Sequence, residues 1–329
     1  DLLPRWAYLR HARDLLRSRQ ADQAAGPYDG FAEPLADRMQ ARYREDHIWS
    51  ASRLEAYGVC PHQFFVKNAL ELEAKAPPEL GLDAAQLGTL LHAILEQAYA
   101  AVENPADPGA VLAVLPEIAW QVFERAPLEQ GFRPSPLWQA EQEQLLLALE
   151  GTVQRLAEQD AGAGWLPVAF EQSFGRDGAD PLAIRVNGQT ILLHGVVDRV
   201  DRDPAGRLRI IDYKTGSSHL AKLDLTLGRR LQLPLYALAV QDTLGMGEIA
   251  EGLYWALLKG EAGSLKLSTF TSGEDRGPQA AIDVAMGHLS RIVQGIRQAH
   301  FPPAPPKGGC PAYCPASTWC WRYAPGWGA

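Results

Sequence analysis

"HGVVDRVDRDPAGRLRIIDYKTG", residues 194–216, contains two strand patterns and the turn that joins them. The second pattern, "RLRIIDYKTG" (207–216), is apolar enough at Leu208, Ile210 and Ile211 to be buried, yet it ends in Asp212 and Lys214. Two residues apart in a strand, these side chains point to the same face. Buried Asp and Lys are rare unless paired or bound to something. Pro204-Ala205-Gly206 fits a three-residue hairpin loop, a type I turn begun by Pro and finished by Gly in the left-handed conformation. That loop sets Asp203 opposite Arg207, and counting outward brings Asp198 opposite Asp212. A two-residue loop would pair Asp198 with Ile211 and send the carboxylates to opposite faces.

Like charges directly across a ladder destabilise it, with Cβ atoms about 4.5–5.5 Å apart. A cation therefore belongs between Asp198 and Asp212, either Lys214 or a divalent metal. A solvated surface hairpin is the plainer reading of two Asp residues. The apolar flanks, the shared face and the nearby Lys argue against it. Two carboxylates and a Lys are the minimum set for metal-dependent phosphodiester hydrolysis. The metal neutralises a phosphate oxygen and lowers the pKa of bound water, while the Lys orients that water or stabilises charge on the phosphorane.

At 329 residues, the chain suffices for one large domain or two ordinary ones, and its 47% hydrophobic and 21% charged content is globular. With 31 basic against 39 acidic residues the net charge is −8, which argues against a dedicated basic nucleic-acid binder. It leaves room for a site that meets phosphate through a metal, or for partners that supply the basic surface. No apolar run is long enough to span a bilayer, and the N-terminus lacks a signal-peptide pattern. The expectation is a cytoplasmic protein, without a membrane partner and without disulfides among its four cysteines. The chain begins inside a helical pattern without an initiator Met, as a piece excised from a larger protein would.

Residues 1–50 read as a helical segment or linker from an upstream region, and 51–329 as the main domain. Helices are expected over "WSASRLEAYGVCPHQFFVKNALEL", over about 83–103 with Asp83 and Gln86 in capping-box spacing, and onward to about 158. Strands follow at "LPVAFEQSFG", in the hairpin, and at "AEGLYWALLK", with a helix at "RRLQLPLYALAVQDTL" and a last one near 278–299. The tail from 301 is too rich in Pro and Gly for regular structure. This order suggests an α/β domain with a central sheet flanked by helices.

"HGVVDRVDRD…LRIIDYKTG" resembles the Asp…Asp-x-Lys core of the PD-(D/E)xK nuclease superfamily, in its RecB-like branch. "LGTLLHAIL" resembles that branch's Gly-x-x-x-His helix, with Gly88 one turn before His92. "QLPLYALA" resembles its Gln-x-x-x-Tyr helix, with Gln232 and Tyr236 on one helix face. All three occur in the matching order. The resemblance implies a restriction-endonuclease-like mixed sheet flanked by helices. It also implies a mixed N/O metal site of His92, Asp198, Asp212 and the carbonyl of Tyr213, suited to Mg²⁺ or Mn²⁺. Lys214 would be catalytic, and Gln232 and Tyr236 would contact DNA phosphate or that Lys. Glu171, alone in an apolar strand, has two readings: a further acidic ligand or support for the metal, and an ordinary salt bridge.

Cys310, Cys314 and Cys320 fall within eleven residues of the tail, while Cys60 lies 250 positions earlier. A Pro-rich coil offers little to bury three thiols. Zinc sites usually use two short paired knuckles. Three clustered cysteines with one distant one suit an iron–sulfur cluster better. The placement resembles the AddB-type helicase–nucleases and the RecB-like CRISPR-associated exonucleases, where one Cys before the core and three after it hold a [4Fe–4S] cluster. Such a C-terminal iron–sulfur staple, closing so long a loop, would constrain the unfolded chain by about 5 kcal/mol on the disulfide loop-entropy model.

The resemblance implies a metal-dependent deoxyribonuclease, exonuclease-like, acting on single-stranded DNA or DNA ends in recombinational repair. Its partner would be a helicase portion of the same parent chain, a separate helicase protein, or both. The chain contains no Gly-x-x-x-x-Gly-Lys loop of its own. The alternatives are a stand-alone CRISPR-associated exonuclease and a non-catalytic iron–sulfur DNA-binding module. The complete set of His92, Asp198, Asp212 and Lys214 argues against the module.

Overall fold

The computed structural model describes residues 6–20, 26–73, 80–160, 162–216, 221–311 and 313–326. The first five residues of the opening helical pattern and the last three of the tail lie outside the described residues. The chain runs α1 (Ala7–Gln20), α2 (Ala36–Arg42), β1 (Ile48–Ser50), α3 (Ala51–Val59), α4 (Pro61–Phe64), α5 (Ala84–Ala100), α6 (Pro108–Glu129) and α7 (Trp138–Asp160). Strands β2 (Leu166–Phe174), β3 (Leu182–Val186), β4 (Gln189–Arg202) and β5 (Leu208–Lys214) follow. Then come α8 (Lys222–Thr226), α9 (Gln232–Leu238), β6 (Ile249–Ala256), β7 (Glu261–Lys266) and α10 (Gly277–Arg297).

The hairpin forms as its loop demands. Gly206 has φ +84°, and the Asp203 N–H donates to the Arg207 carbonyl at 2.9 Å. The Asp203 carboxylate also accepts from the Ala205 and Arg207 N–H groups at 2.9 and 2.8 Å, bracing the turn. Pairs then run from Arg202–Leu208 to Arg199–Ile211, which is the register read from the three-residue loop.

Around this hairpin the sheet is mixed, as expected. β5 pairs in parallel with β6, the connection passing through α9, and β7 closes antiparallel on β6. β4 is long enough to pair antiparallel with β2 along its second half and with β3 along its first. The expected strands are all present. β3 was not read from sequence, although Asn187-Gly188, with φ of +49° and +75°, is a tight-hairpin signal.

Both faces of the sheet are covered, so β5 is buried along almost its whole length, its charged residues included. Ile211, Tyr213, Leu253 and Trp255 pack in one core with α5, α6 and α7. Leu208, Ile210 and Tyr254 belong to the other, with α3, α9 and α10. The expected capping box at α5 is made: Asp83 accepts from the Ala85 and Gln86 N–H groups, and Gln86 Oε1 accepts from the Asp83 N–H.

Two expectations shift. The boundary after residue 50 cuts through packed structure, because β1 pairs with β4 and Met39, Tyr43 and Trp49 are core residues. The helix expected through Cys60 instead breaks there, since the residue before Pro61 is driven to extended backbone (φ −159°, ψ 113°). Among its described residues the tail contains turns and irregular chain beyond an isolated bridge at Cys310–Pro325. Its first residue is firmly anchored, with Phe301 buried and stacked 4.6 Å from Phe65. No helix among the described residues is long and apolar enough to cross a membrane.

Candidate active site

The register places three carboxylates in one row. Pairs Phe170–Arg199 and Gln172–Val197 bracket Glu171 against Asp198, and Arg199–Ile211 leaves Asp198 beside Asp212. The ladders open at this row. Glu171 has φ +46°, a conformation non-glycine residues rarely adopt and one that gathers at functional sites. Beyond the last β4–β5 pair, Asp198 Oδ2 accepts from the Tyr213 N–H at 2.6 Å. The N–H and C=O of one strand residue point to the same side, so the Tyr213 carbonyl also faces β4 in this opening.

His92, one turn beyond Gly88 on α5, closes one end of the row. Its Nδ1 lies 3.6 Å from both Glu171 Oε1 and Asp198 Oδ1. His92, Glu171 and Asp198 each offer a ligand atom within 4.8 Å of the others. At the other end Asp212 Oδ2 lies 2.5 Å from Lys214 Nζ, and Nζ donates to Gln232 Oε1 at 2.9 Å. The compact triad thus differs from the ligand set expected from sequence. Glu171 joins it, while Asp212 turns toward Lys214, the cation two residues along its own face. Asp212 is 2% exposed and, despite that short ion pair, neither of its oxygens has hydrogen-bond geometry. Carboxylate oxygens gathered beside one imidazole nitrogen fit a hard divalent cation.

The electrostatics follow from crowding. Burial, then the charge of Asp212, raises the Asp198 pKa to about 8. Burial would lower the pKa of His92, but the pull of Glu171 and Asp198 lifts it to about 9. Burial likewise opposes the charge on Lys214, yet Asp212 and then Asp198 raise its pKa. Lys214 is accordingly an ammonium, a donor rather than a base. Burial, then Asp212, raises the pKa of Tyr236, which keeps its phenol protonated.

Gln232 and Tyr236 do share a face of α9. The Tyr236 ring presses on β4 at Gly195, where a Cβ would come within 2.7 Å of it. A Gly inside a strand is a signal for such close approach.

Sequence reading missed the group that fixes α9. Glu55, buried on α3, accepts from the Leu231 and Gln232 N–H groups at 2.7 and 2.8 Å and from Arg230 at 3.3 Å. The available signal was periodicity: Ala51, Leu54, Glu55 and Gly58 form an i, i+3, i+4, i+7 stripe with a carboxylate in a core position.

It also missed a buried network behind the row. Arg209 makes two 2.7 Å bonds to Asp160 and one of 2.9 Å to Asp201. Arg199 bonds Asp201 at 2.5 Å and the Tyr99 hydroxyl at 3.1 Å. Two Arg and two Asp balance, tying β4 and β5 to α5 and α7.

The four cysteines, all free thiols, line one cavity between the α3–α4 break and the tail. Cys60 Sγ accepts from the Ala304 N–H at 3.4 Å.

A mixed sheet covered on both faces, with a carboxylate row and a Lys at the hairpin, is the architecture of one nuclease class, and the sequence matches accordingly. The PD-(D/E)XK nuclease superfamily model matches residues 48–321, and the chain belongs to that superfamily. It is 30% identical over 236 residues to the B-type subunit of the ATP-dependent helicase/deoxyribonuclease of Acetivibrio thermocellus, covering 68% of this chain and 20% of that protein. The Symbiobacterium thermophilum protein of the same name is 33% identical over 216 residues (61% and 18%). The Desulforudis audaxviator one is 31% identical over 245 residues (67% and 20%). The chain spans about a fifth of the length of these relatives.

Proposed function

We propose that this chain is the nuclease portion of a helicase–nuclease that hydrolyses DNA phosphodiester bonds during end processing and recombinational repair. The observation that carries this reading is the row Glu171, Asp198 and Asp212, bounded by His92 and Lys214. His92, Asp198 and Asp212 with the Tyr213 carbonyl would hold Mg²⁺ or Mn²⁺, and Glu171 would join them. The bound ion would supply Lewis acidity toward a phosphate oxygen and a water of lowered pKa. Lys214, held protonated by Asp212 and aimed by Gln232, would orient the attacking water or donate to the phosphoryl oxygens on which negative charge develops. Tyr236, a protonated phenol beside Gly195, can donate to the substrate phosphate. The name the relatives share supports DNA as substrate and a helicase as partner.

The four cysteines would hold a [4Fe–4S] cluster in a reducing, cytoplasmic setting. Four thiols on one cavity, three clustered in sequence and one distant, support that cluster.

The test is cleavage of end-labelled single-stranded DNA with Mn²⁺ or with chelator, by wild type and by Lys214→Ala. Wild type should cleave only with metal. The variant should lose about 10²- to 10³-fold in rate while binding Mn²⁺ nearly as well. Cleavage by Lys214→Ala at close to the normal rate would sink the assignment.

A further inference from the structure

A cleft of about 260 Å³ lies between α3, the segment after α4, the start of α9 and the cysteine-bearing tail. Arg53, Lys67 and Arg230 line it, and Glu55 is the one carboxylate among its lining residues. That carboxylate is already committed to the Leu231 and Gln232 N–H groups as well as to Arg230. Arg53 and Lys67 are exposed and have no side-chain partner among the described residues. Two free cations in one cleft stand out on a chain with 39 acidic and 31 basic residues. The floor is polar too. Gln63, 5% exposed, has an Oε1 without a hydrogen-bond partner, and so does the buried Oδ1 of Asn68. On the rim Tyr313 is 71% exposed, an aromatic ring held between Cys310 and Cys314 with its face open to solvent.

We propose that this cleft is a subsite for single-stranded DNA, in which Arg53, Lys67 and Arg230 hold backbone phosphates and Tyr313 stacks on a base. Cations that track a backbone beside an open aromatic ring are the usual means of binding unpaired strands. A base can stack on Tyr313 only when it is out of its duplex. The cleft also adjoins the chemistry, because Arg230 is two residues before Gln232, which holds Lys214. This inference rests on the nuclease reading and adds the place on the fold where an unpaired strand is held.

Anisotropy of an end-labelled oligothymidylate, with Ca²⁺ replacing Mn²⁺ to keep the strand intact, measures affinity across a salt series. The double variant Arg53→Ala/Lys67→Ala should bind about tenfold more weakly or worse. Its log–log salt slope should flatten by about 1.4, at about 0.7 for each phosphate no longer neutralised. Tyr313→Ala should weaken binding between about 5- and 150-fold, and Tyr313→Phe should restore it. Unchanged affinity and slope in the double variant, alongside a wild type that cleaves, would overturn the subsite and leave the nuclease reading standing. A wild type that neither binds nor cleaves overturns both. Tighter binding of a duplex than of the single strand overturns the strand class.

Discussion

Asp198 is the residue on which the site's electrostatics converge. It is buried beside Asp212, within 3.6 Å of His92, and it accepts the Tyr213 N–H. Asp198→Asn replaces a buried carboxyl whose ionisation is opposed by burial and by Asp212 with a neutral amide, and keeps an oxygen that can accept from Tyr213. The metal-free variant should therefore melt no lower than the metal-free wild type. It should gain far less from Mn²⁺, since a ligand that binds only the folded state raises the midpoint by mass action. Thermal melts with and without Mn²⁺ check this. A metal-free variant that melts lower, with the metal-induced shift intact, would make Asp198 a structural partner. Arg199 and Arg207 are already paired with Asp201 and Asp203, so neither is waiting for it.

Among elements, α9 depends on α3. The short α9 carries Gln232 and Tyr236, and Glu55 fixes its first turn by taking two N–H groups left without intrahelical partners. Glu55→Ala should leave Mn²⁺ affinity near normal while lowering kcat, because Lys214 loses its aim. Glu55→Gln, which still accepts hydrogen bonds, should recover much of the rate. Titration of Mn²⁺ beside single-turnover cleavage separates the two effects. The same element shows where sequence reading succeeds and stops. Hairpin register and capping box follow from local turn and cap chemistry, and both were legible. Glu55 and the Arg209–Asp160 pair act across 176 and 49 residues of sequence, and local rules do not reach that far. Glu171 was legible only as a charge out of place, because its alignment with Asp198 depends on the pairing of β2 with β4. Asp212 and Lys214 were readable as a pair, whereas the compact ligand triad was not.

At the scale of the molecule, the two ends of the fold meet at the cysteines. Protein purified without oxygen should be brown and contain about four iron and four sulfide per chain. Cys310→Ser should lose most of both, lower the thermal midpoint, and speed hydrogen exchange from residue 303 onward. Phe301, stacked on Phe65, should stay protected. A colourless protein with one zinc would refute the cluster. Meeting at the ends also has a consequence in time. The Tyr57 hydroxyl donates to the His300 carbonyl across 243 residues. At a synthesis rate of about 5–20 residues per second, α3 leaves the ribosome roughly 12–50 seconds before its partner does. During that interval the contact that closes α3 against the start of the tail cannot form, so this closure is among the last steps of the fold.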